Sequence, residues 1–378
     1  VPISNQAFTD ALAARGMNIR HLSSRSGVSQ AKLTALIEGD DQLSTAETNA
    51  LADSLAIPAH ALFVSAKEEL TPAIDFRSSV PSIGEQNPGT LKAIAFVEQI
   101  SGVLHSIDEV PEIDEEIFST RPAELTKKAA TKLAKHWRKK WGISSEEQAE
   151  WKDANKVYTS LRAFIENLGI AVIHSSFGSS DSAGLYIETP HNLHAIVINT
   201  TLSSKARKVF TLAHEFGHVL LGKEGISNPS IAKNKIEKFC NWFAARMLAP
   251  KSLISYALER YHYTPSTDDD FIRLFSQKLG ISQEATFLRL VETDYLDLAD
   301  YKLWKARFRN QNYIPTGDLG TKGGGGAGDP IKNKLTKYGF TLVRRLASAK
   351  RRGEVDAIDI YRVSGLKPAF QDAVFEAA

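Results

Sequence analysis

The stretch TLAHEFGHVLL, residues 211–221, constrains this chain more than any other part of it. His214 and His218 stand four apart, and on a helix that spacing aims both imidazoles at one point. Phe210, Ala213, Gly217 and Leu221 support a helical setting. Glu215 follows the first histidine and falls beside that point rather than on it. Two converging imidazoles with a carboxylate at hand make a metal centre with its own proton acceptor. The same five-residue pattern also describes two histidines packed on an amphipathic helix. The metal reading therefore needs a third ligand from elsewhere in the chain.

Two glutamates compete for that place. Glu224 lies six residues after His218, the offset at which metzincins place a third histidine, but the glycine that would turn the chain is one place late, at Gly222. Glu237 lies in IEKFCNWFAARMLAP, which reads as a second helix between Asn228-Pro229 and Pro250. Glu237, Cys240, Asn241 and Ala244 form one stripe on it, and the small Ala244 and Ala245 let it approach the first helix closely. Two histidines from one helix and a glutamate from the next is gluzincin logic, so Glu237 is the expected third ligand. Water would then hold the fourth position. Cys240 is expected to pack inertly beside the ligands, because a fourth protein ligand would close the water position.

The rest of the chain reads as an α+β protein, mostly helical. Residues 1–65 carry apolar residues at helical spacing, broken at Gly16, Gly27, Gly39 and Pro58. The middle pair, helix–Ser26-Gly27-Val28–helix with Ser29 as cap, has helix-turn-helix spacing. Residues 66–155 read as a turn-rich linker and two helical stretches, around 90–107 and 122–140. Within the second, KKAATKLAKHWRKKWG is expected to show a solvated basic face over packed tryptophans. Residues 156–305 form the metal-bearing core: a helix at 157–168, then GIAVIHSSF, SAGLYIET and HAIVINT as a small sheet, then helical periods from Ser203 to about Glu292. The glycine-rich stretch within 306–330 lacks the Lys-Ser/Thr of a phosphate loop and reads as a linker. Residues 331–378 read as a small helical module.

The motifs resemble two known families. HLSSRSGVSQAKLTALIEGD…LADSLAIPAHAL resembles the phage-repressor (XRE) type of helix-turn-helix domain. RKVFTLAHEFGHVLLG followed by EKFCNWFAARMLAP resembles the ImmA/IrrE metallopeptidases, as do IDFRSS before the core and FIRLFSQKLGISQEATFLRL after it. The departures are mild: Phe216, Cys240 and Ala249 stand where that family has Leu or Ile, Ala and Met. The resemblance implies a gluzincin-like domain in which His214, His218 and Glu237 hold Zn²⁺ and Glu215 is the general base. Zn²⁺ polarises the scissile carbonyl and acidifies water, while Glu215 takes the proton and passes it to the leaving amine. Tyr186, His191, His194 and Arg207 are candidates to stabilise the oxyanion. Strand 184–189 or 194–199 is expected to pair with an extended substrate.

The helix-turn-helix admits two uses. On its second helix Ser29, Gln30, Lys32 and Thr34 are the expected DNA-facing residues, with Ala31 and Ala35 leaving few readers between them. Residues 1–65 hold four cationic side chains against six acidic ones, a poor balance for phosphate contacts. Docking onto a repressor of the same type therefore stands beside operator binding as a dimer. The expected function is cleavage of a transcriptional repressor or toxin-system partner; the alternative is a DNA-binding regulator or antitoxin whose zinc domain is a scaffold. Glu215 favours cleavage, since a scaffold needs no base. The single cysteine, Cys240, excludes an internal disulfide framework, and VPISNQAFTDALAARG is amphipathic rather than a leader peptide. Val1 in place of Met reads as a trimmed start, and no apolar run reaches membrane length. A cytoplasmic protein is expected.

Overall fold

Serine and glycine punctuation sets the N-terminal elements. Ser4, Asn18, Ser29 and Ser44 each accept a backbone N–H from the helix that follows. They start α1 (Asn5–Ala14), α2 (Ile19–Ser26), α3 (Gln30–Ile37) and α4 (Thr45–Leu55), before a 3-10 turn at Ala59–Leu62. Between α2 and α3 the chain turns within three residues. Gly27 takes φ 73°, open to glycine and strained for other residues. Ser26 Oγ donates to the Leu22 carbonyl at 2.8 Å and accepts from the Val28 N–H at 3.2 Å, and Val28 is buried. The computed structural model describes residues 2–40, 43–57, 59–63, 88–177, 183–202, 204–222, 225–227, 235–310 and 329–378. IDFRSS, Glu224 and most of the glycine-rich stretch lie outside them.

Among the described residues five further helices lie between the N-terminal elements and the sheet: α5 (Pro88–Ser106), α6 (Glu116–Ser119), α7 (Lys127–Trp141), α8 (Ser145–Trp151) and α9 (Ala154–Asn167). The basic stretch starts later than the sequence suggests because Thr126 caps α7. Its lysines face outward while Trp137 and Trp141 are buried, as expected.

The sheet contains β1 (Ala171–Ser175), β2 (Gly184–Glu188) and β3 (His194–Asn199), then α10 (Lys205–Leu221), β4 (Gly225–Ser227) and α11 (Lys235–Leu248) follow in the chain. Strand order is β1-β3-β2-β4; β1 runs parallel to β3, and the other pairs are antiparallel. Both faces are covered, which explains apolar runs in place of strict alternation. Val172, Tyr186, Ile196 and Ile198 join the core built on α10 and α11. Ala171, Ile173, Leu185, Ile187, Ala195 and Val197 join a second core with α5 and the N-terminal helices. The pairing corrects one expectation. β3 is paired along both edges, and β2 is paired with β4 over Gly184–Tyr186, so their backbone groups are already used and cannot take a substrate strand there.

Helices α12 (Lys251–Arg260), α13 (Asp269–Leu279), α14 (Gln283–Glu292) and α15 (Leu298–Asn310) pack beyond α11. The C-terminal α16 (Pro330–Tyr338), α17 (Phe340–Arg352), α18 (Ala357–Ser364) and α19 (Pro368–Glu376) return to the sheet. Arg162 of α9 donates to Glu166 at 3.0 Å, to the Val172 carbonyl of β1 at 2.6 Å and to the Thr336 carbonyl at 2.9 Å. Glu166 in turn accepts the Phe340 N–H at 3.0 Å. This buried network fixes the C-terminal helices against the outer strand. Among the described residues no helix is long and apolar enough to cross a membrane.

Candidate metal centre

Helix α10 is capped by Ser204 and ends at Gly222, and nearly every residue from Val209 to Leu221 is buried. A buried helix can approach its neighbour closely only where side chains are small. At Gly217 an added Cβ would meet Cys240 Sγ at 3.2 Å and its Cα at 3.3 Å. This contact presses α11 onto α10 and brings Glu237 between the two histidines. His214 Nε2 lies 3.2 Å from Glu237 Oε2, His218 Nε2 lies 3.2 Å from Glu237 Oε1, and the two Nε2 atoms are 3.2 Å apart. Among the described residues these three are the group able to hold a metal ion. Tetrahedral bonds of about 2.0–2.1 Å give ligand–ligand edges of about 3.3 Å, so the spacing fits a zinc-sized ion.

The hydrogen bonds agree with that reading. His214 Nδ1 donates to Asn241 Oδ1 at 3.0 Å, which leaves its Nε2 lone pair facing Glu237. A lone pair and a carboxylate at 3.2 Å repel unless a cation lies between them. Burial disfavours charge at His214 and pushes its pKa down. Burial opposes charge at His218 too, but the Cys240 thiol, Glu237 and Glu215 outweigh it and raise that pKa well above the imidazole range. Burial would raise the Glu237 carboxyl, yet the two imidazoles hold it down at about 2. The cluster as a whole attracts one positive charge.

Three carbonyls at the end of α11 each receive a buried side-chain donor. Arg138 donates to Met247 at 3.0 Å, Gln148 to Leu248 at 2.9 Å and Arg289 to Ala249 at 2.8 Å. They satisfy groups that a helix end leaves open and fix the helix carrying Glu237. None of the three is visible in the motif itself, because each reaches it from a distant part of the chain.

Glu215 is fully buried on the side of α10 that faces β2. An added Cβ at Gly184 would meet its Oε1 at 3.0 Å and Thr211 Cγ2 at 2.7 Å, so glycine makes room for the carboxylate. The oxyanion candidates separate. Tyr186 lies two residues along β2 from Gly184, in the core with α10, and its hydroxyl contacts His194 Nδ1 at 2.8 Å. His191 instead stacks on His105 of α5, with centroids 4.3 Å apart. Arg207 is exposed and lies about 10 Å along the helix from His214. Cys240 is fully buried, and burial raises its thiol pKa.

On α3, Ser29 is occupied as the cap, and Thr34 Oγ1 donates to the Gln30 carbonyl at 2.9 Å. Lys32 Nζ pairs with Glu47 at 2.8 and 3.1 Å, and Gln30 is exposed. Lys32 and Ser44 together hold the Glu47 carboxyl down at about 2.

The Peptidase M78 family model, described as the IrrE N-terminal-like domain, matches residues 165–290, which include β1 to β4, α10, α11 and most of α14. Comparisons with curated proteins and with solved structures found no match.

Proposed function

We propose that this chain is a zinc-dependent endopeptidase that acts on a protein brought to it by its N-terminal helices. The observation that carries this is the 3.2 Å triangle of His214, His218 and Glu237, with Glu215 beside it in a peptidase-family domain. A bound zinc ion would polarise the scissile carbonyl and acidify the attacking water. Glu215 accepts the proton and delivers it to the leaving amine, and of the oxyanion candidates Tyr186, which shares the core with α10, is the proposed donor. Asn241 holds His214 in the ligating tautomer.

For the N-terminal unit the proposed partner is a protein, most simply a helix-turn-helix repressor or a toxin-system protein, in the cytoplasm. The Lys32–Glu47 ion pair supports this over operator binding, because it occupies the only cation of α3. The exposed side of that helix is left with Gln30, Ala31, Thr34 and Ile37.

Metal analysis decides the first part. Glu237→Ala should lose most bound zinc and Glu224→Ala should keep it, while Glu215→Gln should keep the zinc and lose cleavage. Zinc lost only from Glu224→Ala would reject the ligand set. Full cleavage by Glu215→Gln would reject the base.

A further inference from the structure

Thr211 lies one turn before Glu215 on the same side of α10, and its side chain is fully buried. Threonines in helices normally return the hydroxyl to the carbonyl four residues back. Thr9, Thr34, Thr48, Thr131 and Thr159 all do so here, at 2.7 to 3.0 Å. Thr211 does not: its Oγ1 has no hydrogen-bond partner, a costly state for a buried hydroxyl. Thr286 on α14 is the other such threonine among the described residues.

Position separates Thr211 from Thr286. Thr211 Cγ2 and Glu215 Oε1 both lie within 3.0 Å of the point where a Gly184 Cβ would stand. The threonine side chain and the carboxylate are therefore within about 6 Å of each other in the one space that glycine opens, and one χ1 rotation carries the hydroxyl toward the carboxylate.

We infer that Thr211 is a positioning residue for Glu215: its hydroxyl donates to the carboxylate and holds it in orientation as the proton is taken up and handed on. This rests on the peptidase reading. Gly184 belongs to the same device, since a side chain there would fill the space in which the two groups meet.

Two measurements test it, one of them independent of turnover. A high-resolution crystal structure of the zinc-loaded protein should place Thr211 Oγ1 within about 3.2 Å of a Glu215 oxygen. An Oγ1 bonded to the Arg207 carbonyl, as in the other threonines, would overturn the inference. The second uses a degenerate decapeptide mixture, with products read by mass spectrometry. Thr211→Val should keep zinc and KM while kcat falls about tenfold or more, and Thr211→Ser should restore kcat. Unchanged kcat in the valine variant, or no rescue by serine, would also overturn it. If the unaltered protein cuts none of the peptides, the peptidase reading is what suffers, and the crystal structure still decides the hydroxyl's partner.

Discussion

At the residue scale, the His214 of the candidate metal site meets Asn241 Oδ1 through its Nδ1 at 3.0 Å, a contact that would fix its tautomer for ligation by Nε2. Replacing that partner leaves all three ligands but frees the ring to rotate and to carry its proton on Nε2. Asn241→Ala should therefore weaken zinc binding by about 10- to 100-fold, read by competition with a chelating dye. Asn241→Asp should bind at least as well as the unaltered protein, and an alanine variant with full affinity would show that Asn241 does not set the tautomer. His214, His218, Glu215 and Glu237 were legible in the sequence because helical spacing alone puts them on facing stripes. Asn241 lay on the same stripe, but its role depends on which imidazole nitrogen it meets. Gly184 and Thr211 were not legible, because their relation to Glu215 runs across a strand–helix contact that no local spacing encodes.

At the element scale, the longer helices and the Ser29 cap followed from the sequence, whereas the short α6 and α8 did not, and the sheet followed less well. β4 is three residues long, too short to show alternation, and its presence is what closes the free side of β2. The three-residue turn seen between α2 and α3 recurs where the sequence was read only as helical. Gly280 and Gly365 both take left-handed φ, 69° in each, and Ile281 and Leu366 after them are buried. Ser364 repeats the double role of Ser26, donating to Ile360 and accepting from the Leu366 N–H at 3.1 Å. One local solution therefore serves α2–α3, α13–α14 and α18–α19. Local chemistry does not explain how α11 is held; Arg138 does. Burial depresses its pKa to about 10, still charged at neutral pH, and its fork reaches the Ile143, Ser144 and Met247 carbonyls and Gln148. Lysine cannot span these acceptors. Arg138→Lys should lower stability by about 2–3 kcal/mol, seen as a melting temperature several degrees lower, with zinc released earlier in the same transition. A lysine variant that melts with the unaltered protein would show that the fork is dispensable.

At the scale of the whole molecule, the apolar cores cross the boundaries suggested by composition. One core joins the N-terminal helices, α5, one face of the sheet and Leu342, Leu346 and Val363 of the C-terminal helices. The N-terminal unit is also tied to α5 by charge. Arg15 donates to both Glu98 oxygens, at 2.8 and 2.6 Å, and to the Leu55 carbonyl at 3.0 Å. The pair is nearly inaccessible, with side chains 2% and 12% exposed. Removing one partner leaves the other charge buried alone, which costs about 3–5 kcal/mol, whereas replacing both with apolar residues of similar volume is often neutral. Glu98→Ala should therefore loosen α1 to α4 from α5 and expose them to limited proteolysis. The candidate metal site, on α10 and α11, lies on the opposite face of the sheet, so zinc content should stay unchanged. The double variant Arg15→Met, Glu98→Leu should recover protease resistance. If the N-terminal helices deliver the substrate, Glu98→Ala should also slow cleavage of a folded protein target more than cleavage of a short peptide carrying the same bond, because only the former uses the docking surface. Equal losses on both substrates would separate docking from these helices, and loss of zinc in step with proteolysis would mean that the two faces of the sheet do not act independently.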